Sequence, residues 1–130
     1  MDQGSLVEMQ INDGLRIIQK LQESGFDVRA AWWMRTSEEG QWFLYIASKR
    51  VEEDGIAAAY RKAYALMRNL GPLWVDRFEV KLIGPENPIA NDVIGILSRF
   101  RDRVNTRYGG DRLGNVSIDG AYLYSLPVPA

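Results

Sequence analysis

Two runs of apolar, aromatic and β-branched residues in the first half of the chain predict a β-hairpin. They cover residues 27–35 and 41–49, and the polar residues 36–40 between them have the length and composition of a hairpin loop. A hairpin is only marginally stable in water until another strand or a helix covers its apolar face. We therefore expect the amphipathic segments on either side of the hairpin to pack against it.

Apolar residues that recur at steps of three and four predict three amphipathic helices. The first stripe lies in residues 7–21, the second in residues 56–70 and the third in residues 89–104. Gly25 and Gly71 follow the first two stripes, where glycine commonly ends a helix because it takes the left-handed conformation without a side-chain clash. Each helix should turn its apolar stripe toward the sheet.

Two more strands are predicted in the second half of the chain. Apolar and charged side chains alternate over residues 74–83, with Phe78, Val80 and Leu82 on the side that should face the helices. Residues 115–125 form the predicted last strand.

The predicted elements follow one another in the order αββαβαβ. Connections are short, and no repeat or linker interrupts the 130 residues, so we expect a single domain with residues 126–130 as a proline-containing tail. The predicted fold class is α+β, with a mixed or antiparallel sheet of about four strands and three helices packed mostly on one face. The order of the strands in the sheet does not follow from these patterns.

Three segments connect the chain with a known group of proteins. They are Trp-Phe-Leu-Tyr-Ile-Ala-Ser at residues 42–48, Phe-Glu-Val-Lys-Leu-Ile-Gly-Pro at residues 78–85 and Ser-Ile-Asp-Gly-Ala-Tyr at residues 117–122. With its size, the chain resembles the small α+β orphan proteins of bacterial genomes and of mobile elements such as integron gene cassettes. The resemblance implies a bacterial source. Because none of the three segments is a known catalytic motif, it implies no activity.

The composition excludes several kinds of chemistry. The chain has no cysteine and no histidine, which removes disulfides, thiolate nucleophiles, imidazole acid–base catalysis and the usual zinc and copper ligands. Its 16 Lys and Arg residues against 17 Asp and Glu residues give a net charge of −1, so the chain as a whole is not attracted to nucleic acid or to an anionic membrane. No cofactor is expected.

The chain also lacks the patterns that direct a protein into or across a membrane. The first residues contain no positive segment followed by an apolar run, as a signal peptide would. Charged residues interrupt every apolar run well short of the roughly 20 residues of a membrane span. We therefore expect a soluble, cytoplasmic protein without a membrane partner.

Side-chain alternation along the predicted strands defines one candidate binding surface, which we call the outer-face set. On the face of the sheet turned away from the helices it combines three aromatic residues with cations and a single carboxylate. Its members are Trp33, Phe43, Tyr45, Arg35, Lys49, Arg77, Glu79 and Lys81. The excess of positive charge on this surface is unlike the nearly neutral whole.

Three interpretations of the outer-face set compete. In the first, the aromatic rings complete a second buried layer with the long cations at its rim. In the second, they form a homodimer interface, since aromatic residues and arginine are enriched at such surfaces. In the third, they bind single-stranded nucleic acid or a planar anion by stacking and charge. The absence of a basic excess and of a known RNA-binding motif argues against nucleic acid.

We therefore expect an interaction or ligand-binding domain that works as a homo-oligomer, with a second copy or a small anionic or aromatic ligand as its partner. The alternative is a small metal-independent enzyme with a pocket of Asp, Glu, Tyr and Arg side chains. Such an enzyme needs a carboxylate of raised pKa inside an apolar cleft. No catalytic residue is assigned.

Three residues in the C-terminal part of the chain are secondary site candidates. Arg107 and Arg112 belong to a glycine-rich segment whose backbone N–H groups suit an anion, although an ordinary turn fits the segment better because a strand follows it and not a helix. Asp119 lies among apolar residues, and we expect it to pair with an arginine or to cap a bulge at Gly120.

Folding should not depend on a metal ion. Without His or Cys only carboxylate-rich sites remain, and no Asp-rich loop of the calcium-binding kind is present. Adding EDTA should therefore leave the melting temperature unchanged in a thermal unfolding experiment. A fall of several degrees would reveal an ion site that the sequence does not show.

Overall fold

The computed structural model describes residues 6, 8–99 and 106–126, with the backbone only for Thr106. A 3₁₀ turn at Arg77–Glu79 precedes the third strand. The helices and strands are α1 (Glu8–Glu23), β1 (Ala30–Thr36), β2 (Trp42–Ala47), α2 (Arg50–Asp54), α3 (Ile56–Arg68), β3 (Val80–Ile83), α4 (Pro88–Arg99), β4 (Thr106–Tyr108), β5 (Arg112–Leu113) and β6 (Val116–Leu123). None of these helices is both long and apolar enough to cross a bilayer.

The strands form one mixed sheet in the order β3–β2–β1–β6–β4, with β5 paired to β6. β2 and β3 run parallel, and the other neighbours run antiparallel. The predicted α+β class is confirmed. The prediction of about four strands in the order αββαβαβ is wrong, because the described part of the chain forms six strands and four helices. The additional strands, β4 and β5, have three and two residues, which is too short to show a period of two.

Helices cover both faces of the sheet. Apolar residues of α1 and α3 pack on one face, which we call the α1 face, and those of α4 pack on the other, the α4 face. The third predicted helix therefore does not join the other two on one face. Because β1 and β2 are buried on both sides, they are apolar at nearly every position and do not alternate.

The register of the hairpin decides which aromatic residues share a face. Trp33 lies opposite Leu44, and Trp32 lies opposite Tyr45. Directly opposed residues of an antiparallel pair project to the same side of the sheet. Trp33 therefore packs on the α1 face, whereas Trp32 packs with Phe43 and Tyr45 on the α4 face. The prediction that Trp33 shares a face with Phe43 and Tyr45 is wrong. Strands that are apolar on both sides show no alternation of apolar and polar residues, so the sequence does not indicate which residues face which side.

A chain of hydrogen bonds fastens α1 to the sheet. Trp33 Nε1 donates to the Tyr124 hydroxyl at 2.9 Å, and this hydroxyl donates to the Ile11 carbonyl at 2.7 Å. Burial raises the pKa of Tyr124, so its hydroxyl keeps the proton that it donates. Gly14 allows the close approach, since a Cβ atom there would overlap the Tyr124 hydroxyl and lie 2.9 Å from Trp33 Nε1.

β3 is shorter than the predicted strand over residues 74–83, because a capping box forms a 3₁₀ turn before it. The Asp76 carboxylate accepts a hydrogen bond from Phe78 N at 2.9 Å, and Glu79 Oε1 accepts one from Asp76 N at 2.8 Å. These bonds satisfy backbone groups locally and leave Val80–Ile83 as the strand. Phe78, which was expected to face the helices, is 69% exposed.

Two glycine substitutions in helices should have opposite effects on stability. Gly14→Ala should lower the free energy of unfolding by about 1–3 kcal/mol, because the new methyl group displaces Tyr124 or α1. Gly95→Ala in α4 should raise it by about 0.5–1 kcal/mol, since nothing lies within 4 Å of a Cβ atom there. Urea denaturation of the two variants measures both changes. Equal shifts of the same sign would contradict the packing of α1 described above.

Candidate functional site

The α4 face brings together three members of the outer-face set, Phe43, Tyr45 and Lys81. Lys81 Nζ lies 3.9 Å from the centroid of the Phe43 ring and 5.7 Å from that of Tyr45. Glu39, in the hairpin loop, places Oε2 2.6 Å from Lys81 Nζ and accepts a hydrogen bond from the Tyr45 hydroxyl at 3.2 Å. The ion pair of Glu39 and Lys81 therefore joins the hairpin loop to β3.

A cavity of about 360 Å³ opens beside this ion pair, lined by Met34, Thr36, Glu38, Glu39, Tyr45, Ile89 and Val116. Partial burial raises the pKa of Glu39, but the hydrogen bond and the charge of Lys81 outweigh it, so the pKa lies below its ordinary value. Burial, reinforced by the Glu39 charge, raises the pKa of the Tyr45 hydroxyl. The pKa of Glu39 is thus shifted in the direction opposite to the raised carboxylate pKa that the enzyme alternative requires.

The segment before β3 carries the most exposed large aromatic side chains in the described part of the protein. Trp74 and Phe78 are 63% and 69% exposed. The guanidinium carbon of Arg77 lies 4.9 Å from the centroid of the Phe78 ring and 5.8 Å from that of Tyr64, within the range of cation–π attraction. We call these four residues the aromatic turn. Arg77, a member of the outer-face set, lies in this turn and not on the sheet.

The outer edge of β3 next to the aromatic turn is closed to strand pairing. The Val80 N–H group donates to the Arg77 carbonyl, and the Leu82 N–H group donates to the Tyr60 hydroxyl at 3.0 Å. An added strand would find both donors already bonded. These two N–H groups are therefore not available for backbone pairing with a further strand.

Charged side chains of both signs lie around the aromatic turn. Arg77 is flanked by Asp76 and Glu79, whose carboxylates accept the two backbone hydrogen bonds of the capping box. Glu79 was predicted as a member of the outer-face set, and it lies here because residues 77–79 form a 3₁₀ turn and not a strand.

A second cavity, of about 330 Å³, lies along β6 and β4. We call it the Arg107 pocket, and it is lined by Leu6, Trp42, Arg107, Tyr108, Asp119, Gly120 and Ala121. Two of the secondary candidates, Arg107 and Asp119, thus meet in one cavity. The third, Arg112, is directed elsewhere, since its guanidinium donates to the Asn115 carbonyl at 3.3 Å.

Asp119 is held by its neighbours at a bulge in β6. The register between β1 and β6 shifts between Arg35 and Thr36 and skips Asp119. The Asp119 carboxylate lies 3.7 Å from Arg35 Nε and accepts a hydrogen bond from Ser37 Oγ at 2.9 Å. The prediction that Asp119 pairs with an arginine is confirmed.

The outer-face set as a whole does not share one surface. Trp33 is buried on the α1 face, and Phe43 and Tyr45 are less than a tenth exposed on the α4 face. The three rings therefore form no common exposed patch. Lys49 is exposed after the end of β2, where its backbone N–H group donates to the Asp27 carboxylate at 2.9 Å. Whether any of these residues binds a ligand stays a prediction.

The sequence does not reveal the exposure of Trp74 and Phe78, because both residues fit the alternation of a strand. The spacing of Asp76 and Glu79, a carboxylate followed by a Glu three residues later, is the signal that would have revealed the turn. Glu39 lies in the predicted hairpin loop, and the sequence contains no signal for its long-range pairing with Lys81. Within the described residues, no group of three His, Cys, Asp or Glu side chains could hold a metal ion.

Comparisons of the chain with protein-family models, with curated proteins and with solved structures found no match.

The ion pair of Glu39 should make stability depend on pH. A carboxylate whose pKa is lower in the folded than in the unfolded protein stabilises the fold above the unfolded pKa, about 4.3, and this stability is lost as the pH falls through the folded value. Glu39→Gln should therefore be less stable than the parent at pH 7, and the difference should vanish at acid pH.

Thermal unfolding of the parent and of Glu39→Gln between pH 3 and pH 7 tests this expectation. Glu38→Gln, a substitution in the same loop, is the matched control and should show a much smaller difference. Because Glu39 is about a third exposed, the effect at pH 7 should not exceed about 1 kcal/mol. A constant difference at every pH would mean that the carboxylate charge is not the cause.

Proposed function

We propose that the protein is an interaction domain that forms a homodimer through the aromatic turn. The observation that carries this proposal is the exposure of Trp74 and Phe78 within five residues of one short segment. Exposed apolar patches of this kind mark association surfaces. Aromatic and arginine side chains also supply most of the binding energy at protein interfaces, and the aromatic turn contains both.

The aromatic turn is ordered before any partner arrives. The capping bonds of Asp76 and Glu79 hold its backbone, and the Arg77 guanidinium packs against the Phe78 ring. A side chain that is already held in place loses less conformational entropy on binding. The turn is therefore suited to recognition without rearrangement.

The presence of both signs of charge favours a second copy of the chain as the partner. In a dimer with two-fold symmetry the same patch meets itself, so Arg77 of each protomer can approach Asp76 or Glu79 of the other. A nucleic acid would require an excess of positive charge, which the turn lacks. The bonded edge of β3 favours side-chain packing over the joining of two sheets.

This proposal keeps the expected homo-oligomer but moves its interface. Trp33, Phe43 and Tyr45 contribute to the core, whereas Arg77 and Glu79 remain at the proposed contact. The apolar area comes from Trp74 and Phe78, and the charges of the turn set the orientation of the partner.

Phe78→Ser should weaken the dimer without unfolding the protomer. Loss of an exposed aromatic ring at the centre of an interface costs about 2 kcal/mol or more, which raises the dissociation constant by roughly thirtyfold. Analytical ultracentrifugation over micromolar concentrations measures the constant, and circular dichroism checks the fold.

Ile56→Ser is the matched control, because Ile56 is another exposed apolar residue, 48% exposed, at the start of α3. It should leave the dissociation constant unchanged. A parent protein that stays monomeric at high micromolar concentration would disprove the proposal, and so would equal losses in the two variants.

A further inference from the structure

We infer that Asp13, a buried carboxylate of α1, positions the aromatic turn and thereby sets the affinity of the dimer contact, a role that rests on the proposed function. The Trp74 N–H group donates a hydrogen bond to Asp13 Oδ2, although 61 positions separate the two residues in sequence. A side chain of the first helix thus holds the backbone at the residue where the aromatic turn begins before β3.

Asp13 occupies an unusual place in α1. Within Glu8–Glu23 it is the only charged residue among the buried positions, and it is 7% exposed. The other buried positions of this helix are Gly14, Ile17, Ile18 and Leu21. Burial of a carboxylate is costly unless hydrogen bonds or an opposite charge compensate for the lost water. The Trp74 N–H group supplies a hydrogen bond, and Arg16 supplies a charge, with Nη1 3.6 Å from Asp13 Oδ1.

Arg16 makes a second link between α1 and the segment that leads to the aromatic turn. Its Nη2 group donates a hydrogen bond to the Leu70 carbonyl at 2.9 Å. One turn of α1 therefore holds the backbone of this segment at Leu70 and at Trp74. Residues 69–76 belong to no helix or strand, so their backbone polar groups depend on contacts of this kind.

The bond to Asp13 and the burial of Val75 together direct the Trp74 side chain outward. Val75 is 3% exposed and belongs to the core of the α1 face, whereas Trp74, the residue before it, is 63% exposed. The capping box begins at Asp76 and does not include Trp74. Asp13 therefore orders the part of the aromatic turn that the capping box does not reach.

An ionised carboxylate is well suited to this task. Hydrogen bonds to a charged acceptor are stronger than those between neutral groups. A residue whose backbone is held before association loses less conformational entropy when it binds. Asp13 should therefore increase the affinity of the dimer even though its own side chain is buried. It acts through Trp74, as a positioning residue.

A purely structural role for Asp13 predicts something different. In that case its loss would lower the stability of the whole protomer, and the Trp74 backbone would open no more readily than the rest of the protein. Local opening is measured separately from global unfolding by amide hydrogen exchange. The exchange of the Trp74 amide therefore separates the two roles.

Amide hydrogen exchange, followed by ¹⁵N NMR on the intact protein, tests the positioning of Trp74. Asp13→Ala removes the acceptor, so the Trp74 amide should exchange at least about tenfold faster, as expected for the loss of a hydrogen bond to a charged group. Asp13→Asn keeps a neutral acceptor of the same shape and should give a smaller increase. The amides of β2, in the interior of the sheet, should change less than that of Trp74.

Glu23→Gln is the matched control, because it removes a carboxylate from an exposed position of the same helix. It should change the exchange rate of the Trp74 amide by less than about twofold. Circular dichroism and urea denaturation verify the fold and the global stability of each variant.

Analytical ultracentrifugation of the same variants measures the consequence for the dimer. Asp13→Ala should raise the dissociation constant roughly three- to tenfold, because Trp74 must then be ordered during binding. In a Trp74→Ser background the same substitution should change the constant by less than about twofold, since the side chain through which Asp13 acts is absent.

Three results would overturn the inference: equal exchange rates of the Trp74 amide in the parent and in Asp13→Ala, equal rates in Asp13→Ala and Glu23→Gln, or the same rise of the dissociation constant with and without the Trp74 side chain. A parent protein that stays monomeric would disprove the proposed function and with it the effect on affinity. The exchange of the Trp74 amide would still decide whether Asp13 positions the turn.

Discussion

The burial of strand β1 on both faces is the constraint on which the rest of the structure depends. β1 pairs with β2 on one edge and with β6 on the other, and helices cover it above and below. Trp32 and Trp33, adjacent in sequence, are therefore both fully buried but in different halves of the core. Each large ring removes much apolar surface from water. The large aromatic side chains of β1 and β2 thus belong to the core, and the proposed binding surface lies elsewhere.

The candidate surfaces lie near the two edges of the sheet, at β3 and at β4. On one side, β3 is bonded along its outer edge by Tyr60 and by the 3₁₀ turn, and the aromatic turn projects Trp74 and Phe78 into solvent. On the other side, the short strand β4 and the bulge at Asp119 leave the Arg107 pocket open. Edges and bulges interrupt regular packing, and for this reason side chains that are not part of the core are found there.

The charged side chains near the sheet edges also differ in their partners. A protein with nearly equal numbers of acidic and basic residues can still create local fields if some charges are paired and others are not. Lys81 pairs with Glu39, and Asp119 pairs with Arg35, so these charges largely cancel. The guanidinium of Arg77 lies beside the Phe78 ring. The proposed dimer contact is accordingly centred on one arginine with aromatic neighbours, a combination common at recognition surfaces.

Local patterns in the sequence determined the α+β class, the hairpin and three of the four described helices, because amphipathic periodicity and turn residues act over a few positions. They also anticipated the pairing of Asp119 and the meeting of Phe43, Tyr45 and Lys81. Only the tertiary structure decided that Trp33 faces away from that group. A strand that is apolar on both sides shows no alternation of apolar and polar residues. Pairing with the neighbouring strands on either edge therefore decides which of its residues face which side. The exposure of Phe78 and the Arg107 pocket were decided in the same way, by a cap and by a bulge that alter alternation locally.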